Sequence, residues 1–236
     1  STKNNTTWKL VEDINALLAH LGIKKVFLFG GSWGSTLALV YAINYPKRVT
    51  GMLLRGIFFG SREEYDEYWG GYSTKIFPDE WERFIELVPK KYRKNSASLI
   101  SYYLDKMKSK NKKMAKKYIV AWYRYEIALL ALNITEKDIQ DYIKKKGCRS
   151  TAPIEAQYFK NRCFLPDNYI LKNAAKLSRI RTVIIHGRYD AVCVPVYAYR
   201  LHKAIKGSRL YFTISGHNPR DTTMALKLKQ EMDKFA

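Results

Sequence analysis

The chain is 236 residues long, 47% hydrophobic and 14% aromatic, with 42 Lys and Arg against 21 Asp and Glu for a formal net charge of +21. That apolar content excludes intrinsic disorder, no run reaches the roughly 18 apolar residues of a membrane span, and the opening STKNNTTWK lacks the form of a signal peptide. Cys148, Cys163 and Cys193 are an odd count without metal-ligand spacing, which reads as free thiols in a reducing compartment and predicts a soluble, cytoplasmic protein.

The length suits one α/β domain, or a core domain with an insertion. Residues 7–21 carry apolar side chains at Trp8, Leu10, Val11, Ile14, Leu17, Leu18 and Leu21, a helical spacing with Thr6 or Thr7 as N-cap and Gly22 as the stop. KKVFLFG (24–30) follows as a short apolar strand of the kind buried on both faces of a parallel sheet. STLALVYAINY (35–45) reads as a helix ended by Pro46, and RVTGMLLRG (48–56) as a second buried strand. Helix, strand, helix, strand at this spacing predicts α/β architecture with a parallel sheet.

From about residue 60 to 168 the pattern changes to amphipathic, aromatic-rich helices such as DEWERFIELV (79–88) and MAKKYIVAWYRYEIALLAL (114–132), with no buried strand. The positive charge concentrates here, in KKYRK (90–94), KMKSKNKKMAKK (106–117) and KKKGCR (144–149). Interleaved with Tyr, Ile, Leu and Met, these lysines read as the solvated face of helices, and no nucleic-acid-binding motif accompanies them. Parallel-sheet syntax returns with strand RTVIIHG (181–187), helix VYAYRLHKAI (196–205), strand RLYFTIS (209–215) and a terminal helix (222–235). The expected division is a sheet core from 1–59 and 169–236 and a helical cap from 60–168.

Gly30-Gly31-Ser32-Trp33-Gly34, between the first strand and its helix, fits a nucleophile elbow. Glycines two residues either side let the serine adopt an unfavourable backbone conformation, and the helix start offers the Trp33 N–H and a dipole to a developing oxyanion. The motif alone is weak; its place between strand and helix makes it specific. A serine needs a base and an orienting acid, which follow in that fold as acid, then His. His20 precedes the serine, while His186 and His202 read as packing or surface residues. His217 in SGHN and Asp190 in HGRYD both follow strands, at the carboxyl edge where open α/β sheets bind ligands.

GGSWGSTLALVYAINYPKRV, LLRGIFFG, APIEAQYFKNRCFL and HGRYDAVC together resemble the prolyl iminopeptidases, serine peptidases of the α/β-hydrolase fold that remove an N-terminal proline from peptides. The resemblance runs from about residue 5 to the C-terminus and is weakest in the lysine-rich insertion. It implies a mostly parallel sheet flanked by helices with an inserted helical cap, and a site with Ser32 as nucleophile, Asp190 as acid and His217 as base. It further implies that Glu126 and Glu155 of the cap bind the protonated imino group, that Phe58 and Tyr68 wall the pyrrolidine ring, and that Cys193 lies near the pocket within reach of a thiol reagent. The implied partner is a peptide with N-terminal proline, without metal, cofactor, membrane or nucleic acid.

The sequence departs from that family in two places. Members carry a preceding stretch with several strands and a His-Gly-Gly-Pro segment that supplies a second oxyanion donor. These 236 residues show none, so the chain is expected to be part of a longer protein or to have the edge of KKVFLFG covered by another segment. After His217 the chain reads NPRDTT, where the family continues with Ser and an apolar or acidic loop. Two alternatives stay open: an esterase or amidase of the same fold, and a non-catalytic basic interaction protein.

Overall fold

The computed structural model describes residues 2–146 and 151–235; Cys148 and the end of the KKKGCR charge cluster lie outside the described residues. Helix α1 (Thr7–His20) is capped by the Thr6 side chain, which accepts from Lys9 N. Gly22, at φ +68°, ends it. Strand β1 (Val26–Ser32) runs directly into helix α2 (Trp33–Asn44), and Pro46 follows. Strands β2 (Val49–Ile57), β3 (Arg181–Gly187) and β4 (Arg209–Thr213) complete a sheet of order β1-β2-β3-β4 in which every pair is parallel.

Between β2 and β3 the described residues hold no strand. They form α3 (Arg62–Tyr68), α4 (Tyr72–Ile76), α5 (Pro78–Glu86), α6 (Ser96–Met107), α7 (Lys112–Ala128), α8 (Glu136–Lys146), α9 (Thr151–Lys160) and α10 (Tyr169–Asn173). Helix α11 (Pro195–Ala204) links β3 to β4, and α12 (Thr222–Met232) closes the described chain.

Alternation along β2 assigns its side chains to two layers, because successive strand residues face opposite ways. Met52 and Leu54 face a core built with Leu39, Tyr41 and Ala42 of α2, Val11 and Leu18 of α1, and Leu201 of α11. Leu53 faces the other layer with Val183, Ile185, and Met224 and Leu228 of α12. The inter-strand helices build a separate aromatic core in which Trp69 lies 4.6 Å from Trp122 and Phe84 stacks on Tyr103 at 4.2 Å.

The expectation of strands buried on both faces holds for β2 and β3 but fails for β1. β1 lies at the edge of the four strands, and Phe29 is 56% exposed. Leu17 and Leu21, two of the apolar positions at helical spacing in residues 7–21, are likewise exposed. The lysines at the start of α7 are exposed while Tyr118 and Trp122 on the same helix are buried, the arrangement of a solvated helix face.

Leu54 is wholly buried at the centre of the larger sheet core. Leu54→Ala is expected to cost about 2–5 kcal/mol of stability, measured by denaturant titration.

Candidate active site

Ser32 ends β1 and is the N-cap residue of α2, with φ 55° and ψ −128°. A left-handed φ in a non-glycine residue costs on the order of 1–3 kcal/mol and persists only where surrounding structure imposes it. Here the crossing of strand and helix imposes it. A Cβ on Gly30 would lie 2.3 Å from Gly34 O, so only glycine lets the two backbones approach. A Cβ on Gly34 meets nothing within 4 Å, which corrects the expectation that glycine is required on both sides of the serine. The Ser32 side chain makes no capping hydrogen bond, so its hydroxyl and the first N–H groups of α2 are left for a ligand.

Helix α2 reaches across to the end of β2. Ser35 Oγ donates to Ser32 O at 2.7 Å and accepts from Phe58 N at 3.2 Å, while Thr36 Oγ1 donates to Phe58 O at 2.6 Å. Both hydroxyls are fully buried, and together they fix the backbone of Phe58 against the serine. The register slips between Gly31 and Ser32, which pair with Arg55 and Ile57, so Gly56 is skipped at φ +48°. A Cβ on Gly56 would stand 2.9 Å from His217 Cε1; this glycine makes room for the imidazole.

His217 Nδ1 is 2.8 Å from Asp190 Oδ2, and the two side chains are 5% and 1% exposed. The other carboxylate oxygen, Oδ1, accepts from Val192 N at 2.9 Å and Cys193 N at 2.8 Å. Burial by itself would raise the Asp190 carboxyl, but attraction and a hydrogen bond from His217, with His186 and the Cys193 N–H, outweigh it and hold the group below its ordinary value. His186, read from sequence as packing or surface, is fully buried 3.6 Å from Asp190. Its Nδ1 accepts from Ile57 N at 3.2 Å, which leaves Nε2 to donate to Cys193 O at 2.7 Å. Desolvation pushes its pKa down, so it is a neutral spacer that ties β2 to the Asp190 loop. Arg55 donates to His217 O at 2.8 Å from a site where desolvation lowers its own pKa. Among the described residues no hydrogen bond joins Ser32 Oγ to His217. Cys193 lines the same cavity as Ser32, and burial first, then the charge of Asp190, drives its thiol well above its ordinary value. Nucleophile–base contacts of this kind commonly tighten only in the substrate complex.

A cavity of about 450 Å³ opens over Ser32, a volume typical of small-molecule sites. Of the residues singled out from sequence, Ser32, Trp33, Phe58, Tyr68, Glu126, Glu155 and Cys193 all line it. Asp190 joins this wall through the Cys193 N–H and carries His217. Glu155 Oε2 accepts from Trp122 Nε1 at 3.0 Å. Enclosure by protein pushes its carboxyl well above the usual range, and the neighbouring Glu126 pushes it the same way. Tyr68 is raised by burial first and then by Tyr125 and the same two glutamates, so three polar groups converge on one spot. Phe58 faces Tyr65 and Phe159 edge-on, each at 6.0 Å. No group of three or more His, Cys, Asp or Glu side chains suited to a metal ion occurs among the described residues.

Sequence reasoning missed Ser35, Thr36, Gly56, His186 and a buried carboxylate, Glu64. Glu64 lines the cavity, accepts from Phe59 N and Ser61 N at 2.8 Å each, and is raised to about 7 by burial against those hydrogen bonds. The Ser61-x-x-Glu64 capping box was its legible signal.

A serine on a strained strand-to-helix turn, a buried His–Asp pair and a parallel sheet define the α/β-hydrolase class, and the family model for the alpha/beta hydrolase fold matches residues 1–218. The chain is 37% identical over 235 residues to the proline iminopeptidase of Arabidopsis thaliana, covering 99% of this chain and 61% of that protein. It is 36% identical to the probable proline iminopeptidase of Leptolyngbya boryana, covering 99% of this chain and 72% of that one. An esterase from Exiguobacterium antarcticum superposes with a TM-score of 0.62 at 17% identity, over 97% of this chain and 73% of that one, a likeness of fold. The chain belongs to the proline iminopeptidase family within that class.

The contrast between the two elbow glycines is testable. Gly30→Ala is expected to cost about 1–3 kcal/mol through overpacking, about 2–4 °C of Tm per kcal/mol at this chain length. Gly34→Ala is expected to leave Tm unchanged or slightly raised. Thermal denaturation monitored by circular dichroism checks both.

Proposed function

We propose that the protein is a serine aminopeptidase that releases N-terminal proline from peptides. The observation that carries this reading is the pairing of Glu126 and Glu155 in the cavity that opens on Ser32. Two carboxylates that share one cavity suit a cationic group, and the secondary ammonium of an N-terminal proline is one. Phe58 and Tyr68 provide the apolar wall for its ring. The names of the relatives support the same substrate.

In the proposed mechanism His217, oriented by Asp190, takes the Ser32 proton as the hydroxyl attacks the prolyl carbonyl. The Trp33 N–H at the start of α2 stabilises the oxyanion. His217 then protonates the leaving amine, and water hydrolyses the acyl-enzyme. Because the glutamates bind the free amine, cleavage is confined to the first peptide bond. Residues 60–168 act as the cap that carries these glutamates, on a core of 1–59 and 169–236. Two buried free thiols, Cys163 and Cys193, support a cytoplasmic location, and no helix among the described residues is long and apolar enough to cross a membrane. The exposed lysines belong to a solvated face and not to a nucleic-acid site.

The test is chromophore release from a proline arylamide by the full-length protein and its Ser32→Ala variant. The variant is expected to lose at least about 10⁴-fold in kcat. Equal rates would end the hydrolase reading, and a preference for an acyl ester over the proline amide would move it to an esterase.

Proton linkage gives a second test. The Glu155 pKa is raised by desolvation and by Glu126, so the free site holds its proton to higher pH than an ordinary glutamate. A bound cation favours the ionised carboxyl and lowers that pKa again. Below the raised pKa, proline binding is therefore expected to release a proton, and Glu155→Gln to abolish the release. Calorimetry in buffers of different ionisation enthalpy measures it, and proton uptake on binding would contradict the assignment.

A further inference from the structure

The cavity extends beyond what a prolyl group needs, and its remaining wall has a chemistry of its own. If the proline amine is at Glu126 and Glu155 and the prolyl carbonyl at Ser32, the residue after proline occupies the part of the cavity that neither end uses. This inference rests on that substrate reading. One side of the wall left over comes from the N-terminal segment, α1, α2 and α9: Asn5, Leu10, Trp33, Ile154 and Tyr158.

These side chains form one braced cluster. The Trp33 ring meets Tyr158 edge-on at 4.8 Å, and Tyr158 OH donates to Asn5 Oδ1 at 2.5 Å. Glu155 and Tyr158 lie one turn apart on α9, the first bonded to Trp122 of α7 and the second turned to α2 and the N-terminal segment. The cavity thus runs along α9 from a carboxylate end to an aromatic end. The aromatic end is held in place. Thr7 Oγ1 donates to Cys163 O and Trp8 Nε1 donates to Phe164 O at 2.8 Å, which pins the start of α1 to the turn after α9. That turn holds Arg162, Cys163 and Phe164 at φ 48°, 53° and 55°, a run of left-handed residues that fixes where the two carbonyls point.

We infer that Asn5, Leu10, Trp33, Ile154 and Tyr158 form a subsite for the leaving residue, selecting prolyl peptides whose second residue is large and apolar, aromatic above all. Leu10, Ile154 and the Trp33 and Tyr158 rings supply apolar and edge-to-face contact. The Asn5 carbonyl is occupied by Tyr158, which leaves its amide N–H groups as donors for a carbonyl of the leaving peptide. None of these five side chains is charged, so an acidic or basic second residue finds no counter-charge among them to offset its desolvation.

The experiment compares kcat/KM of the full-length protein for Pro-Phe and Pro-Gly, measured by proline release, with the Leu10→Trp and Leu10→Ala variants. The wild type is expected to prefer Pro-Phe by at least about tenfold. Leu10→Trp, which fills the subsite, is expected to bring the ratio to one or below, and Leu10→Ala to lower it. Equal kcat/KM in the wild type, or a ratio unmoved in both variants, overturns the subsite and leaves the prolyl specificity standing. Hydrolysis of neither dipeptide overturns both readings.

Discussion

Everything at this site depends on one crossing of backbone, where β1 turns into α2 with Ser32 at a left-handed φ. The conformation is costly, so it exists only because its surroundings leave no alternative. Gly30 admits the backbone of Gly34 at a distance no other residue permits, and Ser35 ties its hydroxyl to the carbonyl of the strained residue. The same two residues that follow the elbow, Ser35 and Thr36, clamp Phe58 through its N–H and C=O. The geometry of the serine and of the cavity wall is therefore set by one cluster of hydrogen bonds.

The second strand answers this crossing with a bulge. Skipping Gly56 lets β2 stay paired with β1 up to Ser32 while opening the space His217 fills. Behind the imidazole, Asp190 spends one oxygen on His217 and the other on two backbone N–H groups, so it can be buried and still hold its charge. His186, buried, and Arg55, half-buried, bind the carbonyls of Cys193 and His217 and so fix the loops that carry the acid and the base. Orientation in the site comes from the sheet, while the helices between β2 and β3 supply most of the cavity wall.

The strands and helices of the sheet layer were legible because a two-face burial pattern and strand–turn–helix spacing survive in a single sequence. Thr6 and Gly22 bounded α1 as read, and RTVIIHG is β3 residue for residue. β1 misled because its apolar run has the composition of a central strand while it is an edge of the four strands present. Ser32, Asp190 and His217 could be singled out because each lies at or just past the end of a strand. Glu126 and Glu155 could not be told from solvated helix residues without the family resemblance, since their meeting depends on how α7 packs against α9. Ser35, Thr36 and His186 left no signal, because a hydroxyl or imidazole that braces backbone looks like any other buried polar residue until its partner is known.

The proposed mechanism requires that Ser32, and not the Cys193 thiol that lines the same cavity, forms the covalent intermediate. Intact-mass and peptide-mapping measurements after the full-length protein meets a prolyl phosphonate test it directly. A single adduct on the peptide that contains Ser32, lost when free proline is in excess, is the predicted result. An adduct on Cys193, or labelling of Ser32 indifferent to proline, would contradict it.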